Sequence, residues 1–275
     1  RESHMTDTFF LRGKSALITG SVQGIGLSIA KALAAEGASI AVHGLANPEQ
    51  IKAALKDIKN AGAPKVKYFS ADFSAVETIE PMLDAVLEWS GGIDILVNNA
   101  GIQKTAPLVD VGLQAWHQIL DVNLTAAFLT MRRAMPGMSE RGYGRVINIA
   151  SVHGLVGSIH KAPYVASKFG LVGLSRVAAL ENATAGSCKT GGVTVNCICP
   201  GWTETTILEA QITERAAQFE GDRDLGIQEL LKEKQPTQRM SDPAEIGALA
   251  TWLCNPIAHN ITGTSIPVDG GWVAQ

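Results

Sequence analysis

Cysteine is scarce in this sequence and poorly placed for cross-links. The four in 275 residues, Cys188, Cys197, Cys199 and Cys254, form no C-x-x-C pair and have no accompanying histidine motif. That pattern excludes a zinc site or a disulfide framework, so no metal is expected. Free thiols of this kind fit a reducing compartment, and the expected location is the cytoplasm. A basic excess is missing too: 23 Lys+Arg against 26 Asp+Glu give a formal net charge of −3, which leaves no footprint for nucleic acid. No apolar run reaches the roughly 18 residues that a membrane span requires. No repeat, low-complexity block or Pro/Ser-rich linker divides the chain, which argues for one domain able to bury a core without staples. The first five residues, RESHM, read as an expression-vector remnant ahead of a native start at Met5, and no charged-then-apolar leader follows. The domain is expected over residues 6–275.

What is present is an alternation. Short β-rich runs recur as ALIT (16–19), SIAV (39–42), VKYFS (66–70), IDILV (93–97), RVINIA (145–150), VTVNCI (193–198) and TSIPV (264–268). Between them apolar residues fall at three- and four-residue spacing, most clearly from Ile25 to Glu36 and from Tyr164 to Leu180. Seven strands alternating with helices predict an α/β fold with a mostly parallel sheet covered on both faces. Most of the strand runs are apolar throughout, as strands buried on both sides should be. Two segments break the rhythm: the polar loop NATAGSCKTGG (182–192) and a helical insertion over about 203–235. Helices inserted beside the carboxyl ends of a parallel sheet are where a substrate lid would sit.

Strand one runs into TGSVQGIG, with Gly20, Gly24, Ile25 and Gly26 leading into the next helix. Glycines there let the backbone pass close to a pyrophosphate, and the helix N-terminus offers amide donors. An acidic residue ending strand two usually holds an adenosine ribose diol, but here the sequence reads AVHGLANP, with His43, Gly44 and Leu45. Nor does Arg or Lys occur at 21–23 or 43–47 to pair with the 2′-phosphate of NADP. An unpaired dianion is costly, so NAD is the expected cofactor.

Further polar pieces end successive strands: Asp72 and Phe73 in ADF, Asn99, Ala100 and Gly101 in NNAG, Ser151, and Pro200, Gly201, Trp202 and Thr203 after strand six. Ligands of open α/β sheets bind outside those carboxyl ends. Asp72 could equally cap the following helix, and Ser151 could be a turn hydroxyl. Tyr164 and Lys168 stand four apart, on one face of a helix. A phenol working near neutrality needs its pKa lowered from about 10 by roughly two to three units. One ammonium about 5 Å away, at an effective dielectric near 20, supplies approximately 3 kcal/mol and nearly suffices. Pro163 opens that helix and leaves Lys161 in the loop ahead of it, free to meet a different anion.

TGxxxGxG, NNAG, Ser, YxxxK and PG in this order resemble the classical short-chain dehydrogenase/reductase family over essentially the whole chain. The resemblance implies a single-domain, doubly wound Rossmann-type sheet of seven strands, assembled as a homotetramer. It implies Tyr164 as general acid/base, Lys168 lowering its pKa and holding the nicotinamide ribose, Ser151 polarising the substrate oxygen, and Asn123 holding a proton-relay water. Within the family, the segments NNAGIQ, INIASVHGLV, ICPGW, KEKQP and ITGTSIPVDGGW are similar to those of bacterial enzymes acting on (R)-3-hydroxybutyrate. That similarity carries a substrate-carboxylate pocket onto Gln103, His153, Lys161 and Gln211, with Trp202 as an apolar wall. The expected partner is thus a small anionic 3-hydroxy or 3-oxo acid. The alternatives are another small 3-hydroxy acid dehydrogenase, a 3-oxoacyl-thioester reductase, which would want a basic cofactor pocket, and a redox-sensing binding protein, which would not need the intact Ser, Tyr and Lys. The loop at 182–192 is about half a dozen residues longer than the family pattern.

Overall fold

The computed structural model describes residues 9–187 and 189–275, with the side chain of Ile207 excepted. Residues 1–8, which include the RESHM stretch expected to be a vector remnant, and Cys188 lie outside the described residues. The chain alternates as expected: β1 (Ser15–Ile18), α1 (Gly24–Ala35), β2 (Ser39–His43), α2 (Pro48–Asn60), β3 (Val66–Phe69), α3 (Ile79–Ser90) and β4 (Ile95–Asn98). It continues through α4 (Leu113–Leu120), α5 (Ala126–Arg141), β5 (Tyr143–Ile149), α6 (Ala162–Glu181) and β6 (Gly192–Pro200). Two inserted helices follow, α7 (Glu209–Ala216) and α8 (Arg223–Lys234), before α9 (Pro243–Cys254) and β7 (Ser265–Val268).

The seven strands form one sheet in the order β3-β2-β1-β4-β5-β6-β7, every neighbouring pair parallel. Alternate side chains explain why the central strands read as continuous apolar runs. Ile18, Ile40, Val42, Val97 and Ile147 pack on one face with Ile29 and Leu33 of α1 and Ile246 and Leu253 of α9. Leu17, Ala41, Leu96 and Val146 pack on the other with Leu83 of α3, Met131 and Met138 of α5 and Ala179 of α6. Both faces are dry, so polarity has nowhere to alternate. Only the edge strands differ: Lys67 on β3 and Pro267 on β7 are exposed, as edges that must avoid further pairing require.

The strand order reverses between β1 and β4, and the chain leaving the two diverges there into a crevice at their carboxyl ends. The long 182–192 segment lies at the opposite end of the sheet, where the carbonyls of Gly191 and Gly192 accept from the buried guanidinium of Arg145 at 3.1 and 3.0 Å. It belongs to packing rather than to the crevice. Among the described residues, no helix is long and apolar enough to cross a membrane.

Candidate active site

Three of the nine α-helices among the described residues, α2, α8 and α9, start on a side-chain cap. Asn47 with Gln50 and Asp242 with Glu245 form reciprocal caps at α2 and α9, each followed by proline. Gln23, at the start of α1, gives no side-chain cap, and no acidic residue follows in the first turn. Gln23, Gly24 and Ile25 line the crevice, so the first amides of α1 are left there with donor capacity to spare, as an anion site requires. The turn above them is backed at contact distance: a Cβ on Gly26 would lie 2.3 Å from the Gly20 carbonyl oxygen. Asn99 ties the same turn to β4, its amide donating to the carbonyls of Thr19 and Gly20 at 3.0 Å each. The crevice has a volume of about 480 Å³, and these features fit a dinucleotide's pyrophosphate.

His43 occupies the place where a ribose-binding acid was missing, and it turns inward. Its Nδ1 accepts from Gly20 N at 3.3 Å, which obliges Nε2 to carry the proton and donate to the Ala71 carbonyl at 3.1 Å. The ring stacks on Phe73, centroids 4.1 Å apart. Asp72 folds its own loop rather than capping a helix, accepting from Ser74 N and Oγ, and these bonds hold its carboxyl below the usual range.

Burial pushes the pKa of His43, and likewise of His153 with help from the Lys161 charge, down to about 4 from 6.5. The unfolded chain then takes up both protons first as pH falls. The stability they allow is complete above about pH 6.5 and drains away toward pH 4, costing on the order of 2 kcal/mol per ring by pH 5. Urea unfolding at pH 7.5 and 5.0 is expected to show a lower midpoint at pH 5.0 with an unchanged slope. Equal midpoints would mean that the rings do not stay neutral.

Tyr164 sits on the first turn of α6, and Lys168 lies one turn further on, its Nζ 5.6 Å from the phenol ring centroid. Lys168 is 4% exposed and donates to the Ile149 carbonyl at 2.8 Å. Here the electrostatic expectation needs correcting. Burial raises the Tyr164 pKa and the neighbouring Ser151 hydroxyl only partly opposes it, so one lysine does not bring the phenol to neutrality. Burial acts on the lysine as well, lowering Lys168 to about 8. Asn123 lies in a π-helical turn, Asp121–Thr125, between α4 and α5. Its amide is engaged by Ile102 N, Ile102 O and Ser167 Oγ at 2.8, 2.9 and 3.1 Å, so it fastens the loop that carries Gln103.

Next to this cluster is an apolar chamber with nitrogens in it. Trp202 and Trp272 pack at 5.2 Å between ring centroids, and His153 meets Trp272 edge-on at 5.4 Å. Lys161, just outside α6 with φ −129°, lays its Nζ 5.2 Å from the Trp202 ring centroid and donates to Gln211 Oε1 at 3.2 Å. It is 6% exposed, and burial lowers its pKa to about 8 against the opposing pull of Glu233. Three further buried nitrogens around this ammonium have no hydrogen-bond partner in the protein: Gln211 Nε2, His153 Nδ1 and Trp202 Nε1. Each such group costs about 1–3 kcal/mol unless something pairs with it.

The crevice wall brings together Gly20, Gly24, Ile25, Asp72, Phe73, Asn99, Ala100, Gly101, Gln103, Ser151, His153, Lys161, Tyr164, Lys168, Pro200, Gly201, Trp202 and Thr203. Gly26, Asn123 and Gln211 lie one layer behind, the first beneath the turn and the other two reaching the wall through Ile102 and Lys161. Sequence reasoning missed Trp272 and the inward role of His43. The DGGW segment after strand seven was the available signal for the first.

Comparisons agree with this geometry. The pattern of the short chain dehydrogenase family matches residues 14–216. A D-beta-hydroxybutyrate dehydrogenase of Cupriavidus necator is 46% identical over 266 residues, covering 96% of this chain and 100% of that protein. One from Rhizobium meliloti is 41% identical over 262 residues, covering 95% and 99%. Among solved structures, an actinorhodin polyketide ketoreductase with NADPH superposes with a TM-score of 0.85 at 33% identity, covering 94% of this chain and 97% of that one. The chain belongs to the short-chain dehydrogenase family. It is an oxidoreductase with a Rossmann-type seven-stranded fold that takes a nicotinamide cofactor.

Proposed function

We propose that this oxidoreductase interconverts (R)-3-hydroxybutyrate and acetoacetate with NAD, in the cytoplasm, as a homotetramer of a single domain spanning 6–275. The observation that carries the substrate is the Lys161 ammonium, surrounded by the unpaired nitrogens of Gln211, His153 and Trp202 in a tryptophan-walled chamber. A compact carboxylate would satisfy these donors together, and the names of the two relatives point to the same acid. A thioester brings no charge to that ammonium, which disfavours a 3-oxoacyl-thioester reductase.

NAD⁺ supplies the hydride acceptor for the C3 hydrogen. Tyr164 exchanges the hydroxyl proton: its phenolate takes it as the alcohol becomes a ketone, and its phenol returns it on reduction. Ser151 donates to the substrate oxygen, Lys168 supports the phenolate and the nicotinamide ribose, and Asn123 holds the Gln103 loop at the end of the proton path. Lys161, Gln103, Gln211 and His153 fix the carboxylate so that C3 faces the cofactor. The glycine turn, Asp72, Phe73, Asn99 to Gly101 and Pro200 to Thr203 line the cofactor's side. At its adenosine end the wall has the Asp72 carboxylate and neither Lys nor Arg, which supports NAD over NADP. The exposed Phe128 of α5 and Phe169, Val177 and Leu180 of α6 support assembly with further copies.

A spectrophotometric panel of 3-hydroxy acids of both hands, run with NAD⁺ and NADP⁺, tests this. The expected outcome is turnover of the (R)-3-hydroxybutyrate hand, with kcat/KM at least about tenfold higher for NAD⁺. Faster reduction of an acetoacetyl thioester by NADPH than of acetoacetate by NADH would reverse the assignment. Binding of NADH without reduction of any small 3-oxo acid would point to a sensor.

A further inference from the structure

Trp202 follows the end of β6, and its backbone N–H has left the sheet ladder, so it needs an acceptor from elsewhere. A side chain 33 residues away supplies it: Trp202 N donates to Gln235 Oε1 at 2.9 Å. Gln235 is 1% exposed, and its Nε2 donates to the Arg239 carbonyl. On its other side, Trp202 O accepts from Ser241 N at 2.9 Å. Both polar groups of the Trp202 backbone are therefore held by the segment that follows α8.

The glycines around Gln235 show how tightly it is seated. A Cβ on Gly201 would come within 2.8 Å of Gln235 Oε1, and one on Gly270, whose φ is +59°, within 2.7 Å of Gln235 Cγ. Gly201 precedes Trp202, and Gly270 lies two residues before Trp272. The same side chain thus sits beside the backbone that leads to each tryptophan wall, at the foot of the α7–α8 insertion. The Thr203–Ser241 bridge closes that foot from the other side.

We propose that Gln235 is a positioning residue for the acid substrate: it locks the foot of the α7–α8 insertion to Trp202 and so sets the wall against which Lys161 and the substrate carboxylate lie. The inference rests on the substrate reading given above. Gln235 acts through Trp202 and touches neither Tyr164 nor Lys168, which are anchored on α6. Its loss should weaken acid binding while leaving the chemical step nearly intact.

The test uses the full-length protein with Gln235→Met, which keeps the volume and removes both polar atoms, and Gln235→Glu, which keeps an acceptor for Trp202 N. Hydrogen exchange of peptides covering 200–205 reads the bond directly, without substrate. In Gln235→Met, exchange there should quicken about tenfold and KM for acetoacetate should rise about tenfold, with kcat within about threefold of wild type. Gln235→Glu should retain most of the protection and most of the affinity. Unchanged exchange in Gln235→Met overturns the proposal, as does an unchanged KM in an active enzyme, a fall in kcat without a change in KM, or a Glu variant that behaves like the Met variant. A wild type that leaves acetoacetate untouched overturns the substrate reading instead, and the exchange experiment still decides for or against the Gln235 lock.

Discussion

Tyr164→Phe is expected to lower kcat for acetoacetate reduction by at least about a thousandfold, the scale of a lost general acid, while NADH still binds. The substitution removes one oxygen from a buried ring and leaves its packing, including the edge-on contact with His153 at 6.2 Å between centroids, in place. The environment also sets a direction. Burial raises the phenol's pKa, and Ser151 only partly opposes it, so the protein's own groups keep Tyr164 protonated at neutral pH. That is the form needed to give a proton to a ketone. The reverse reaction needs the phenolate, so oxidation should quicken toward alkaline pH while reduction does not. Rates of both directions measured across pH, with fluorescence titration of NADH against the Phe variant, check this. A Phe variant with wild-type turnover would remove Tyr164 from the chemistry.

The fold was legible because its signals are local. Runs such as ILV (95–97) are apolar since both sheet faces are covered, and apolar residues at three- and four-residue spacing mark the helices between them. The start of α1 was legible too, as a glycine turn running into a helix. The site was legible only where a spacing carries meaning. A four-residue step from Tyr164 to Lys168 gives a shared helix face, but it says nothing of how dry that face is, and dryness decided the phenol's pKa. His43 was visible as a departure, yet its direction depends on what packs under β2, and Phe73 and Gly20 come from elsewhere in the chain. Trp272 and Gln235 meet Trp202 across 70 and 33 residues, contacts that only the folded chain creates.

Lys161→Ala is expected to raise KM for acetoacetate by about a hundredfold, the size of a lost charge-assisted pair, with kcat changed much less. The residue stands outside the helix that holds Tyr164, so deleting it leaves the proton donor where it was. Its pKa adds a second, independent signature. Burial brings Lys161 down to about 8, so the free enzyme loses this charge as pH rises through 8. A bound carboxylate favours the ammonium and raises that pKa, so acid binding above pH 8 should take up close to one proton. KM should be flat below pH 8 and climb above it, and this climb should vanish in the Ala variant. Calorimetry in buffers of different ionisation enthalpy counts the proton directly. An Ala variant with the wild-type KM, or binding at pH 9 without proton uptake, would place the carboxylate elsewhere than on Lys161.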